Sequence, residues 1–347
     1  MTIRTILDAD GGTIDAFLRE SPFAAYQQTR SWMDVVPRTG VQDYHIVAVV
    51  EHDRPIGAAV VRRTALAPGA WLATMQRGPV VHDAAKLAIV LPAMMDALRE
   101  AGCCSLQLAP RVRGRDMPVM AEALRANGFV PLPERRQPLH NTTGIVWLDK
   151  PEADVLAGFK QRGRRQIKAA QKAGVTVRPA DGADDIAAYQ RVLDAFRASK
   201  PDYDMKGLPD AVGQARLIAE LGGAILLAEL DGAVIGGHAF VRQGEEAIWL
   251  SLATSDDHPQ IARSYPLLWA GMRAARAMGC IGYDLAGMPV GDPDASEAGR
   301  VQFKSAFAPT RRIMPPMQVA ALKPVRHAIF FRARQFYRGA VKRRARG

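Results

Sequence analysis

A duplication within the chain is the sequence feature that most constrains its fold. The stretch "LREAGCCSLQLAP" (98–110) aligns with "ARAMGCIGYDLAG" (275–287), which puts Cys103 over Cys280. Each stretch follows a segment of helical apolar periodicity and continues through a glycine into an apolar run. That order is typical of a helix that ends at a Gly turn and leads into a buried strand.

A second pair of segments matches further upstream. The stretch "HIVAVVEHDRPIGAAVV" (45–61) aligns with "AILLAELDGAVIGGHAFV" (224–241), with Gly57 over Gly236. Both are alternating apolar segments joined by a charged turn, which predicts the two strands of a hairpin. Because the two matches share nearly one spacing, chance likeness is the weaker interpretation, and we predict tandem copies of one α/β domain.

Each copy is predicted to hold a hairpin, a helix and a further strand, which favours a mixed sheet with helices packed on it. The first domain is expected at residues 1–148 and the second at 149–317, because "LPERRQPLHNT" has loop character and Pro151 suits the first turn of a helix. The basic segment 318–347 is expected to form a helix that packs back on the first domain through Ile329, Phe330 and Phe336.

Length and composition are those of a globular protein without a membrane span. The 347 residues provide for two domains of ordinary size. No apolar run approaches the roughly 18 residues of a spanning helix, and the N-terminus lacks the pattern of a secretory signal. The three cysteines are too few for a disulfide framework or a metal site and predict buried thiols in a reducing compartment. We therefore expect a cytoplasmic protein.

Positive charge is concentrated at the C-terminal end. The formal net charge is +11, and twelve Lys and Arg residues but no Asp or Glu lie from Val301 onward. The preceding 300 residues are therefore close to neutral. Such a segment suits RNA, anionic lipid on the inner face of the membrane, or a nucleotide-linked substrate, although a solvated tail that aids solubility has the same composition.

The predicted order of elements resembles the GNAT-type N-acyltransferases. Those enzymes hold the pyrophosphate of coenzyme A on backbone N–H groups at a helix start, in a Gln/Arg-x-x-Gly-x-Gly/Ala loop. Gln260 is present at the corresponding place, but Arg263 and Tyr265 replace the glycines, and "HDAAKLAIVL" in the first copy also lacks them. The resemblance therefore implies the fold, with coenzyme A an unlikely cofactor.

Duplicated GNAT-like domains without a coenzyme A loop are characteristic of the FemABX family of peptidoglycan-branching aminoacyltransferases, and the chain resembles that family over nearly its whole length. The five segments that carry the resemblance are "QTRSWMDVV" (28–36, with Trp32), "QRGPVV" (76–81, with Arg77), "FKQRGRRQIKAAQKAGVTV" (159–177, with Arg164 and Arg165), "YPLLWAGMRAARAMGCIGYDLAG" (265–287, with Tyr265, Tyr283 and Asp284) and "VQFKSAF" (301–307, with Phe303 and Lys304). Their common order makes the resemblance specific.

The resemblance implies the roles of these residues. Lys304 would stabilise the oxyanion formed when an amine attacks an aminoacyl ester, and Phe303 would lie near the acceptor end of the tRNA. Asp284 would accept a proton from the amine or orient Tyr283, or else cap the following loop. The remaining residues expected to bind substrate are Trp32, Arg77, Arg164, Arg165, Tyr265 and Tyr283, with the arginines facing phosphates of the tRNA or precursor.

The resemblance implies two partners, aminoacyl-tRNA as co-substrate and a nucleotide- or lipid-linked muropeptide as acceptor. Two other functions stay open. One is a GNAT-type transferase that uses acyl-CoA on another small amine, and the other is a non-catalytic adaptor of envelope or polysaccharide assembly that keeps the fold and a basic membrane-facing helix. Without a catalytic role, Lys304 would only pack its stem on aromatic rings. His238 lies on an alternating strand and is expected to be a hydrogen-bonded interior residue, and His258 to be solvated.

Overall fold

The computed structural model describes residues 3–38, 42–133, 141–200, 207–288 and 295–330. Contacts divide the chain into two compact units. The first unit holds residues 1–33, 38–139 and 315–347, and the second holds residues 34–37 and 140–314.

The described residues form fifteen strands in two sheets. The first eight strands are β1 (Ile3–Leu7), β2 (Gln42–Glu51), β3 (Arg54–Ala67), β4 (Ala70–Arg77), β5 (Val80–Val81), β6 (Cys103–Pro110), β7 (Val130–Pro131) and β8 (Thr142–Trp147). The others are β9 (Thr176–Pro179), β10 (Gly223–Leu230), β11 (Ala233–Gln243), β12 (Glu246–Thr254), β13 (Gly282–Gly287), β14 (Thr310–Ile313) and β15 (Gln318–Ala321).

Helices lie between the strands of both units. The first four helices in chain order are α1 (Gly11–Glu20), α2 (Arg30–Val35), α3 (Leu87–Glu100) and α4 (Met117–Ala126). In the second unit the helices are α5 (Glu152–Gly158), α6 (Gln161–Lys172), α7 (Gly182–Ser199), α8 (Ala211–Leu221), α9 (Ser264–Ala277) and α10 (Ala295–Ser305).

The two sheets have the same strand order. The first runs β1-β2-β3-β4-β6-β15-β7, with β5 added to β3, and the second runs β9-β10-β11-β12-β13-β8-β14. In each sheet one pair is parallel, β4 with β6 and β12 with β13, and the other neighbours are antiparallel. A helix precedes the second parallel strand in both units and supplies much of the core, α3 in one and α9 in the other. The predicted mixed α/β fold with two copies of one domain is confirmed.

The glycines that the duplication aligned occupy the same place in both sheets. The register of β2 with β3 shifts next to Gly57, and the register of β10 with β11 shifts next to Gly236. A Cβ atom on Gly57 would lie 2.5 Å from Val90 of α3, and one on Gly236 would lie 3.0 Å from Leu267 of α9. Glycine therefore lets the helix of each copy approach its sheet closely.

Each sheet contains a strand that chain order would assign to the other unit. β8 follows β7 in the chain but lies between β13 and β14, and β15 follows β14 but lies between β6 and β7. The border between units therefore precedes Thr142, whereas the sequence placed it after residue 148. The reason is that β8 completes the second sheet by pairing with both β13 and β14.

The C-terminal segment joins the first unit, as expected, but by different contacts. β15 pairs with β6 and β7, and Leu322 N donates to Cys104 O at 3.0 Å. The expected anchor Ile329 is instead 58% exposed. Phe330 is half-buried, and Phe336 lies outside the described residues.

No helix of the described ranges is long and apolar enough to cross a bilayer.

Candidate functional site

The two parallel strand pairs differ in how far they stay together. β4 and β6 pair from Trp71 and Cys103 to Arg77 and Pro110, along the whole length of both strands. β12 and β13 pair only as far as Ile248 and Asp284, although both strands continue. Beyond that point the facing backbone N–H and C=O groups of the pair are not used between the two strands, which makes this end of the second sheet a candidate binding site.

The end of β13 is shaped by Asp284. Its Oδ1 atom accepts a hydrogen bond from Ala286 N at 2.7 Å, and Ala286 has a φ of 59°. A left-handed conformation is costly for alanine and persists only where the surroundings hold it. Of the roles considered for Asp284, the hydrogen bond to Ala286 N is the cap of the following loop, one residue before the Gly287 carbonyl.

Lys304 meets that carbonyl from the last turn of α10. Its Nζ atom donates to Gly287 O at 2.8 Å and lies 4.8 Å from the centre of the Trp249 ring. Burial lowers the pKa of Lys304 to about 8, with a further decrease from Arg300 and an opposing effect of Asp284 and Glu297. At neutral pH the side chain is therefore still a cation, held by a carbonyl dipole and an aromatic face.

A group of aromatic rings packs around Phe303, the neighbour of Lys304. Phe303 makes edge contacts with Tyr265 at 4.9 Å, Phe307 at 5.4 Å and Trp249 at 6.2 Å between ring centres. Edge-to-face arrangements of this kind fix ring positions more firmly than area burial alone. We call Lys304, Phe303, Trp249, Tyr265 and Asp284, with the Gly287 carbonyl, the Lys304 site.

The helix α6 closes the site from one side. Lys160 N donates to Ala306 O at 3.0 Å, and Arg162 Nε donates to the Tyr265 hydroxyl at 3.1 Å. A Cβ atom on Gly163 would lie 2.7 Å from Ala306 O. The glycine in "QRGRR" is thus required for α6 to approach the end of α10.

A buried polar network lies behind Trp249. His238 Nδ1 donates to Ser251 O at 2.7 Å, so its Nε2 atom accepts from the Tyr283 hydroxyl at 2.5 Å. Burial lowers the pKa of His238 to about 4 and raises that of Tyr283 well above its usual value, so both are neutral. The His238 ring also meets Trp249 edge-on at 5.7 Å. His238 is thus the hydrogen-bonded interior residue that the sequence predicted.

Tyr283 is placed differently from the sequence prediction. It was expected to bind substrate, but its side chain is fully buried and bonded to His238. Because β13 is covered by α9 on this face, Tyr283 belongs to the core beneath the site. Gly271 of α9 leaves it room, since a Cβ there would lie 2.9 Å from the Tyr283 hydroxyl.

The predicted arginines have different surroundings. Arg164 donates to the carbonyl groups of Ala157 and Phe159, which ties α6 to the end of α5. Arg165 is exposed on α6. Arg77 ends β4 in the first unit with a φ of 60° and is 8% exposed. The binding roles of Arg77, Arg164 and Arg165, like those of Trp32 and Tyr265, stay predictions.

The segment around Gln28 and Trp32 packs into the first unit. Trp32 is 7% exposed and meets Tyr26 edge-on. Gln28 Nε2 donates to Gln76 O at 2.8 Å, and its Oε1 accepts from Val60 N at 2.9 Å. A Cβ atom on Gly78 would lie 2.5 Å from the Gln28 side chain. The motifs around Gln28 and Gly78 thus form one packing unit, which accounts for their joint presence.

One side chain of the loop before α9 forms hydrogen bonds with carbonyl groups of the same loop. The Arg263 guanidinium donates to the carbonyl groups of His258 and Ile261, and Arg263 is 6% exposed. In the first unit, Asp83 Oδ1 accepts from Ala85 N before α3, which puts a carboxylate at that helix start. Both loops are thus held by side-chain contacts of their own, and the expected absence of coenzyme A stays a prediction.

Sequence reasoning missed Trp249, Arg162 and Gly163. Trp249 lies in the alternating strand "AIWLSLAT", whose pattern predicts a strand but no functional side chain. Gly163 interrupts a basic helix, and an isolated helical glycine was the signal of a close approach. Among the described side chains, no group of three or more His, Cys, Asp and Glu could hold a metal ion.

Comparison with known proteins agrees with this architecture. Residues 157–305 match the family model of an acetyltransferase (GNAT) domain. A crystal structure of FemX superposes with a TM-score of 0.78 at 18% identity, covering 95% of this chain and 100% of FemX. The chain has a FemX-like fold. No curated protein matches it in sequence.

Other solved structures share this FemX-like fold less closely. L-PGS from Bacillus licheniformis superposes with a TM-score of 0.54 at 12% identity, over 91% of this chain and 92% of L-PGS. A tandem GNAT protein from the clavulanic acid biosynthesis pathway gives 0.53 at 15% identity, over 92% and 98%. Two tandem GNAT-like domains are therefore established, and the matching domain supports an acyltransferase.

Proposed function

We propose that the chain is a FemABX-like aminoacyltransferase that moves an amino acid from aminoacyl-tRNA to an amine of a nucleotide- or lipid-linked muropeptide. The observation that carries the proposal is the Lys304 ammonium, held by the Gly287 carbonyl and the Trp249 ring where β12 and β13 cease to pair. A fixed donor at such a place suits a reaction that develops negative charge on oxygen.

The reaction is the aminolysis of an ester. The neutral amine attacks the ester carbonyl, the new C–N bond forms and the carbonyl oxygen becomes an oxyanion. Collapse breaks the C–O bond to the ribose, and the released tRNA hydroxyl takes up the proton that the amine loses. Lys304 would stabilise the oxyanion, and such a donor contributes roughly 2.7–4 kcal/mol.

The loops before α3 and α9 favour tRNA over coenzyme A as the source of the acyl group. Before α9 the Arg263 guanidinium is engaged with a carbonyl group of its own loop, and before α3 the Asp83 carboxylate accepts from Ala85 N, where it would repel a pyrophosphate. Aminoacyl-tRNA needs no such cradle, because basic side chains on the protein surface suffice for its backbone.

The test supplies the protein with charged tRNAs and with nucleotide- or lipid-linked muropeptides, and mass spectrometry then detects an added residue. Lys304→Met should lower turnover by roughly 10² to 10³, because the stem is kept while the donor is lost. Lys304→Arg should fail nearly as badly, since a planar fork does not fit a point-charge position. Lys172→Met, on the exposed end of α6, is the matched control.

Other outcomes identify the alternatives. Product from acyl-CoA but not from charged tRNA, with coenzyme A binding in calorimetry, would assign a conventional GNAT-type activity. A Lys304→Met protein that keeps full turnover would refute the catalytic role of the lysine. A cellular phenotype that survives Lys304→Met, with no product from either donor, would support the adaptor.

A further inference from the structure

The C-terminal segment of the first unit ends in a helical stretch, residues 324–330, that exposes two aliphatic side chains. Val325 and Ile329 lie four residues apart, so they share one side of the helix. Val325 is 76% exposed and Ile329 is 58% exposed, and Val325 is the most exposed large hydrophobic residue of the described ranges. A pair of this kind at the end of a folded unit is a candidate interaction surface.

Other side chains of the same stretch bind it to the first unit. Arg326 Nη1 donates to Gly69 O at 3.0 Å, and His327 Nδ1 lies 2.8 Å from the Ser105 hydroxyl. Arg99 Nε donates to Leu322 O at 3.0 Å just before it. Because these contacts set the rotation of the helix, Val325 and Ile329 are directed to solvent by the fold itself.

The sequence of the segment that carries this pair contains positive charges only. Lys323 and Arg326 flank it, and the sequence from residue 331 to the end holds seven further Lys and Arg residues and no Asp or Glu. The same stretch of sequence also contains Phe331 and Phe336. Aliphatic side chains bordered by cations and free of acids are typical of segments that lie in the interface of an anionic bilayer.

We propose that Val325 and Ile329 form a docking surface for an anionic lipid bilayer. The aliphatic pair enters the boundary between headgroups and acyl chains, while Lys323 and Arg326 bind lipid phosphates and the positive charge of the sequence that follows adds attraction to the anionic surface. An RNA partner would use the cations and stacked aromatic rings but would gain nothing from exposed Val and Ile. This surface is independent of the transfer reaction and of the Lys304 site.

The experiment measures partitioning of the full chain to vesicles of equimolar phosphatidylglycerol and phosphatidylcholine, and to vesicles of phosphatidylcholine alone. We expect binding to the anionic vesicles only. The double variant Val325→Ser and Ile329→Ser keeps every charge and should weaken that binding by about tenfold or more. The matched control, Val130→Ser with Ile313→Ser, changes side chains that are 58% and 67% exposed elsewhere and should bind as the unchanged protein does.

Three results would overturn the proposal. In the first, the unchanged protein would fail to bind anionic vesicles. In the second, the Val325 and Ile329 double variant would bind them as well as the unchanged protein does, which would mean that the basic charges alone cause the binding. In the third, the double variant would lose affinity for labelled bulk tRNA as strongly as for vesicles, which would assign the surface to RNA. Because both side chains are exposed, circular dichroism should show that all variants remain folded.

Discussion

Lys304 has surroundings that disfavour its own charge. Its pKa is about 8 in the folded protein against 10.5 for an ordinary lysine. The folded state therefore loses the proton first, so the cost of the buried charge is complete below pH 8 and disappears as the pH rises toward 10.5. That cost is about 3 kcal/mol, partly offset by a hydrogen bond to Gly287 worth about 1 kcal/mol.

Replacing Lys304 by Met should consequently stabilise the protein at pH 7 by about 1–2 kcal/mol, since the charge is removed and the stem is kept. The advantage over the unchanged protein should shrink between pH 8 and 10.5. Urea unfolding of both proteins across this range measures the difference. A Met variant that is less stable at pH 7 would show that the ammonium is a net stabilising group.

Trp249 is predicted to position Lys304 by its ring. In the proposed reaction the protonated lysine is needed, so activity should fall above pH 8. Trp249→Leu removes a cation–π contact worth about 0.5–2 kcal/mol, which should move this alkaline limit to lower pH and reduce turnover. Trp249→Phe should restore part of both effects. A pH–rate profile that is the same in all three proteins would exclude the positioning role.

At this scale the sequence pointed to Phe303 and Lys304 but not to the residues that surround them. Phe303 and Lys304 were found because their motif occurs in a specific order with four others. Trp249 and the Gly287 carbonyl could not be found, because they come near Lys304 only through the end of the β12–β13 pairing. The point at which two strands stop pairing depends on the whole sheet and cannot be predicted from the local amino-acid composition.

At the scale of elements, α6 is placed by one glycine. Gly163→Ala would bring a Cβ atom within 2.7 Å of a backbone oxygen, which cannot move aside as a flexible side chain can. We expect a loss of about 1–3 kcal/mol in stability and a lower turnover, because α6 carries Arg162 to Tyr265. Gly299→Ala in α10, where nothing lies within 4 Å of the added atom, is the matched control.

The control should be stabilised by up to about 1 kcal/mol, since alanine is the better helix former. Thermal unfolding and turnover of the two variants give the comparison. Equal stability of the Gly163→Ala and Gly299→Ala proteins would mean that α6 adjusts freely, and the close contact would then have no role in the site.

Most elements followed from the sequence because local patterns specify them. The aligned Gly57 and Gly236 were found by repetition alone, and the structure explains them by the approach of α3 and α9. The expected packing of Ile329 was wrong for a related reason. Its apolar character was visible in the sequence, but its rotation is set by Arg326 and His327, whose partners lie far away in the chain.

At the scale of the whole molecule, the exchange of β8 and β15 was beyond sequence analysis. β8 is an apolar strand that would fit the next-to-last position of either sheet. Only its pairing with β13 and β14 decides which sheet β8 joins, and those strands begin more than 130 residues later in the chain. A boundary drawn from loop composition therefore fell on the wrong side of β8.

The exchange makes the first unit dependent on residues from the far end of the chain. β15 lies between β6 and β7, and Met317, Val319 and Leu322 are buried there. Burial of each such side chain contributes about 1.5–3 kcal/mol, which is comparable in sum with the 5–15 kcal/mol or so that stabilises a whole domain.

A chain that ends at Met314 should therefore have an open first unit and an intact second unit. Hydrogen exchange should show lost protection in β6 and retained protection in β10 to β13, because the second sheet already holds its full set of strands. A chain that ends at Leu322 keeps β15 and is the control, with protection expected in both sheets. If β6 stayed protected in the shorter chain, β15 would be an addition to a sheet that is stable without it, and the dependence argued here would be wrong.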